Sequence, residues 1–139
     1  MIYGTIYFLP SNNLFLKSIP SISECQCETI GIFLKNRALS AHPSKQGNYT
    51  VSEKVNGKTS WISNTSAIWY KNGVWTVGKL EDKGETENNG IETEDGYGDL
   101  HCPYDIKRWF FYDGVIDNGW ALPDFEKDIR IQCLDGKYF

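Results

Sequence analysis

No run of 18 consecutive apolar residues occurs in this 139-residue chain, so no segment of it reads as a membrane-spanning helix. No segment carries an apolar stripe of helical period over three turns, which argues against a helical bundle. Cys-x-x-Cys is absent, and with it the common zinc-finger and dithiol redox motifs. Positive charge is not in excess: 14 Lys and Arg stand against 18 Asp and Glu, for a net charge of −4. That balance argues against nucleic acid or an anionic membrane as partner. Gly-x-Ser-x-Gly, His-Glu-x-x-His and phosphate-cradling loops are missing. Only two histidines exist, His42 and His101. His101 precedes Cys102, but adjacent residues of an extended chain point to opposite faces, so this pair is no thiol–imidazole dyad. His42, in "SAHPSKQG", reads as a loop residue. Carboxylate pairs for glycoside cleavage are set by the fold and leave no spacing to search for. The expectation is a protein that is not an enzyme.

What is present is unevenly distributed. Residues 81–99 hold Glu81, Asp82, Glu85, Glu87, Glu92, Glu94, Asp95 and Asp99 against a single base, Lys83. The simplest reading is a long solvated loop held open by its own repulsion. The sharper one is a Ca²⁺ site, because hard oxygen ligands suit that ion, although the EF-hand order of acids and central glycine is absent. No other cofactor is expected.

Residues 1–23 begin with the apolar "MIYGTIYFL", interrupted by "PSNN". They read either as a degraded signal sequence or as an edge strand, Ile2 to Phe8, with a linker. A single β domain would then occupy 24–139. Within it lie four cysteines: Cys25, Cys27, Cys102 and Cys133. The even count and the placement at the start, middle and end of the domain read as a disulfide framework and an oxidising compartment. Pairing Cys25 with Cys27 would close a very small, strained loop. The two remaining connectivities both tie the start of the domain to Cys102 and Cys133. Two sequons, at Asn48 and Asn64, agree with secretion and mark candidate glycosylation sites.

Seven of the thirteen glycines follow Asn or Asp. Such dipeptides tolerate the positive φ angles of two-residue hairpin turns. Between them lie short stretches rich in Val, Ile, Thr, Tyr, Phe and Trp. The fold class expected is all-β and antiparallel: a compact sandwich or barrel-like domain of short hairpins, stapled by disulfides, with a long acidic loop. Only "PDFEKD", 123–128, suggests a helical turn.

In "WYKNGVWTVG", a two-residue Asn72-Gly73 loop pairs Lys71 with Val74, Tyr70 with Trp75, Trp69 with Thr76, and Ile68 with Val77. One face then carries Ile68, Tyr70, Trp75 and Val77 and reads as core. The other carries Trp69, Lys71 and Thr76. Applied to Asn56-Gly57, the same rule pairs Val55 with Lys58, Glu53 with Ser60 and Ser52 with Trp61, giving a polar hairpin expected near an edge. "WFFY", 109–112, has apolar groups on both faces and suggests a central strand covered on both sides. "DIRIQC", 128–133, reads as the last strand. "ETIGIFL", 28–34, reads as the first, set beside it by a disulfide.

The order "CETIGIFL", "GNYTVSEKVNGKTSW", "IWYKNGVWTVG", "CPYDIKRWFFYDG", Trp120 and "IRIQC" resembles a small secreted, cysteine-framed β module of invertebrate and protist extracellular proteins. Its pattern is Gly-x-Tyr, Asn-Gly, Trp-x-x-Gly, Cys-Pro, Trp and a final Cys, matched over about residues 25–133. The resemblance implies an extracellular, lectin-like binding role without an established activity.

The function expected is a secreted, non-catalytic binding module whose exposed aromatic patch takes a carbohydrate or a protein at the cell surface. Trp69, Lys71 and Thr76 form the first candidate patch. Trp120, flanked by Asp117 and Asn118 at a loop tip, is the second. The alternative is a structural or adhesive surface or matrix component with no small ligand, bridged by Ca²⁺ through 81–99. Trp75 and Trp109 are expected in the core.

Overall fold

The computed structural model describes residues 25–86, 90–94, 96–113, 119–121 and 128–135. The expectations for residues 1–23, for Asp117 and Asn118, and for all but the last residue of a helical turn at 123–128 lie outside these residues.

Nine strands follow in chain order: β1 (Thr29–Leu34), β2 (Gly47–Val55), β3 (Lys58–Ile62), β4 (Ser66–Lys71), β5 (Val74–Lys79), β6 (Ile91–Thr93), β7 (Trp109–Tyr112), β8 (Trp120–Ala121) and β9 (Ile129–Cys133). Each of the first eight pairs antiparallel with its neighbour in sequence, and β9 returns to pair with β1. The result is one continuous sheet running from β8 to β9. It curls into a nearly closed, barrel-like shape, and all the described strands belong to this one sheet.

The β4–β5 hairpin has the register that its turn dictates. Asn72 and Gly73 both take positive φ, 44° and 90°, and Tyr70 lies opposite Trp75, Trp69 opposite Thr76 and Ile68 opposite Val77. The β2–β3 turn is of the same kind, and Val55 does face Lys58. A bulge between Ser52 and Val55 then slips the register by one, so Ser60 faces Ser52 and Trp61 faces Val51. The hairpin is also interior to the sheet, not near its edge.

Trp61, Trp75 and Trp109 are fully buried, with Tyr49, Ile30, Ile32, Ile68, Val77 and Ile91 around them. The Trp61 and Trp75 rings are 5.9 Å apart. A buried indole N–H needs a partner, and each has a backbone carbonyl: Cys27 for Trp61 at 2.7 Å, His101 for Trp75 at 2.8 Å, and Ile106 for Trp109 at 3.0 Å.

Two disulfides join Cys25 to Cys102 and Cys27 to Cys133. The second fastens β9 to the chain just before β1. Beside it, the Asp135 carboxylate accepts the backbone N–H groups of Glu28 and Thr29 at 2.7 and 3.1 Å.

Two short helices were not legible as periodic stripes: α1 (Asn36–Ala41) and α2 (Tyr97–Leu100). Six residues are too few to show a repeat, and only Ala38 of α1 is buried. From α1 and the residue after it, Arg37 pairs with Asp113 and His42 Nε2 lies 2.8 Å from the carbonyl of Tyr112. These contacts tie the β1–β2 connection to the far end of β7 and help to close the barrel.

Candidate functional site

The acidic segment is the first departure from expectation. It is not loop throughout, since it contains β6 and most of α2, and Glu92, Glu94 and Asp99 each meet a separate partner. Lys71 Nζ pairs with Glu92 and donates to the carbonyl of Thr86. Lys83 bridges the Glu53 carboxylate at 3.1 Å and the Ser52 hydroxyl at 3.2 Å. Glu94 lies 3.7 Å from Arg108 Nε, and Asp99 accepts the Tyr70 hydroxyl. That hydrogen bond, more than burial, raises the pKa of Tyr70. Among the described residues, the one cluster of three potential metal ligands is Cys27, Cys133 and Asp135, and both its sulfurs are spent in a disulfide.

This segment removes the first candidate patch. Trp69 and Thr76 are fully buried, and Lys71 is buried with them. The Trp69 indole N–H donates to the carbonyl of Glu85 at 3.2 Å, under the chain that leaves β5. The face opposite the core is covered locally by residues 80–86, and local register could not reveal a cover that comes from further along the chain.

Trp120 has a different setting. It lies in β8, not at a loop tip, and is half-buried. Along β7, Trp109 and Phe111 point into the core, while Phe110 and Tyr112 point outward and are only half-buried. The outward face of the strand is thus less completely covered than its core face. Tyr112 is the direct cross-strand partner of Trp120, which puts their side chains on one face. Their rings meet edge to face at 5.7 Å and 79°.

The pair is held from several directions. Tyr112 N–H donates to Gly90 O at 2.8 Å, and its carbonyl meets His42. Gly119, at φ +81°, sits so close under the Tyr112 ring that a Cβ there would collide with it. Arg108 lies 5.7 Å from the centre of the Phe110 ring. An outward aromatic trio, Phe110, Tyr112 and Trp120, thus stands near one edge of the sheet beside a cation and the Glu94 carboxylate. Sequence reasoning found Trp120 and missed its two companions; the signal was the alternation within "WFFY", once one face is assigned to the core.

The sequon asparagines occupy a second surface. Asn48, on β2, and Asn64, in the β3–β4 turn, are both exposed and line the same cleft of about 450 Å³ with Ser44, Gln46, Thr50 and Thr65. The cleft carries amides and hydroxyls but no aromatic ring. Neither histidine forms a thiol–imidazole dyad, since all four cysteines are in disulfides. Cys102 is in a disulfide, and His42 is buried against the Phe111 ring, where desolvation lowers its pKa below the usual 6.5 despite the Tyr112 carbonyl.

No family model, curated protein or solved structure matches the chain.

Proposed function

We propose that the protein is an extracellular, non-catalytic binding module that takes a carbohydrate on the aromatic face of Phe110, Tyr112 and Trp120. The observation that carries this reading is the Tyr112–Trp120 pair, half-buried on the outer face and held by Gly119, Gly90 and His42. Sugars present C–H faces that stack on such rings, and Arg108 and Glu94 stand nearby as hydrogen-bonding groups. A preheld platform loses little side-chain freedom on binding.

The compartment rests on the two disulfides, which persist in oxidising surroundings and are rare in reducing ones. The resemblance to a secreted cysteine-framed module supports the same assignment. Asn48 and Asn64 are the glycan acceptors of this reading, and their exposure on one cleft supports modification there.

A glycan array probed with wild-type protein and with Trp120→Ala tests the site. The variant loses the bound class of sugar while retaining its melting temperature. Binding by both proteins alike overturns the aromatic face as the site.

A further inference from the structure

A barrel that does not quite close keeps two edges. At one, β8 is only two residues long. At the other, β9 runs for five residues and, among the described residues, no strand pairs with its outer side. Backbone N–H and C=O groups on an unpaired edge can accept another strand.

A cleft of about 500 Å³ runs along this edge. Its lining includes four consecutive residues of β9, Ile129, Arg130, Ile131 and Gln132. Side chains of a strand alternate between faces, so a surface touching four in a row follows the backbone edge and not one face. The other wall is Tyr104, Ile106 and Lys107, from the stretch that follows the Cys25–Cys102 bond. The cleft therefore follows the outer backbone edge of β9.

Its charge says what kind of strand fits. Lys107 and Arg130 are exposed, and among the described residues no carboxylate lines the cleft. Neither cation is ion-paired among the described residues. Arg130 leans over Phe33, which is 42% exposed, at 6.0 Å. Pairing of β9 with β9 of a second copy would place the Arg130 and Lys107 charges of both copies along one seam, and such cations on an edge oppose self-association.

We propose that β9 is a docking edge for an extended acidic segment of a partner protein, added to the sheet as a further strand. Apolar residues at alternate positions of the segment pack on the half-buried Tyr104 ring. The acidic residues between them meet Arg130 and Lys107. Main-chain hydrogen bonds to β9 supply affinity, and the two cations select the partner.

The test is fluorescence anisotropy on the full chain with two labelled peptides, one alternating Glu with Val or Thr and one alternating Lys with the same residues. The acidic peptide binds at least about tenfold more tightly than the basic one, and Lys107→Glu with Arg130→Glu reverses that order. N-methylation at alternate backbone nitrogens of the acidic peptide abolishes its binding. Absence of binding, equal affinity for both peptides, or indifference to N-methylation overturns the proposal. A concentration-dependent dimer of the wild type that displaces the peptide also overturns it, since a second copy would then be the occupant. Should the double variant fail to fold, the comparison of peptides on the wild type decides the matter alone.

Discussion

Trp69 Nε1 donates to the backbone carbonyl of Glu85 at 3.2 Å, so the most acidic part of the chain begins as the cover of a tryptophan. The cover is fastened by Lys71, which reaches both the Thr86 carbonyl and the Glu92 carboxylate. Replacing Lys71 with Met keeps the stem and removes three donors. We expect a loss of about 1–3 kcal/mol, because the carbonyl and carboxylate lose a charged partner in a partly buried setting. The specific readout is exchange of the Trp69 indole proton, which becomes faster than that of Trp75. Unchanged exchange at Trp69 would mean that the lysine does not hold the cover.

Acid acts on a different residue. Burial lowers His42 below 6.5, with Lys45 adding to the lowering and Asp113 opposing it. The unfolded chain therefore binds a proton on this ring more readily than the native one does. The stability due to neutral His42 is present above pH 6.5 and is lost as pH falls through the lowered native value. Melting temperature against pH should drop across that window in the wild type and be flatter for His42→Gln. Parallel curves for the two proteins would exclude His42 as the source.

Gly119 combines φ +81° with the underside of the Tyr112 ring. Alanine there meets both backbone strain and the ring, at an expected cost of about 1–3 kcal/mol. Near-ultraviolet circular dichroism should lose the contribution of the Tyr112–Trp120 pair while the far-ultraviolet sheet signal persists. A variant with an unaltered aromatic signal would show that the ring position does not depend on the glycine.

The two disulfides close loops with sequence separations of 77 and 106 residues. On the chain-entropy account, removing either by paired Cys→Ser changes costs about 4–5 kcal/mol. Denaturant unfolding measures this directly. A loss below about 1 kcal/mol for either pair would show that the bond does little to restrict the unfolded chain.

Local turn chemistry was legible, and it carried the β4–β5 hairpin to the correct register and the correct core face. At β2–β3 the same rule failed by one residue, because nothing in "VSEKVNGK" announces the bulge that sets Trp61 opposite Val51. The cysteine count foretold the framework, but only the fold chose between two connectivities. Trp69 was misplaced for a physical reason: its exposure depends on a segment beginning eleven residues further on, attached by lysines whose attraction overrides the segment's own repulsion. Trp120 was visible as a candidate, whereas Phe110 and Tyr112 emerged once β8 was seen to pair beside them. The short helices and β6 are too brief to carry a period.

Cys25 and Cys27 are separated only by Gln26, and Cys27 is bonded to Cys133. The shortest covalent route between residues 25 and 133 is therefore three residues and one sulfur bridge. A pull applied between those points travels along that route and bypasses the hydrogen-bonded strands, so the sheet bears almost no load. Under tension the module behaves as an inextensible link, and its surfaces keep their shape while the chain on either side is stretched.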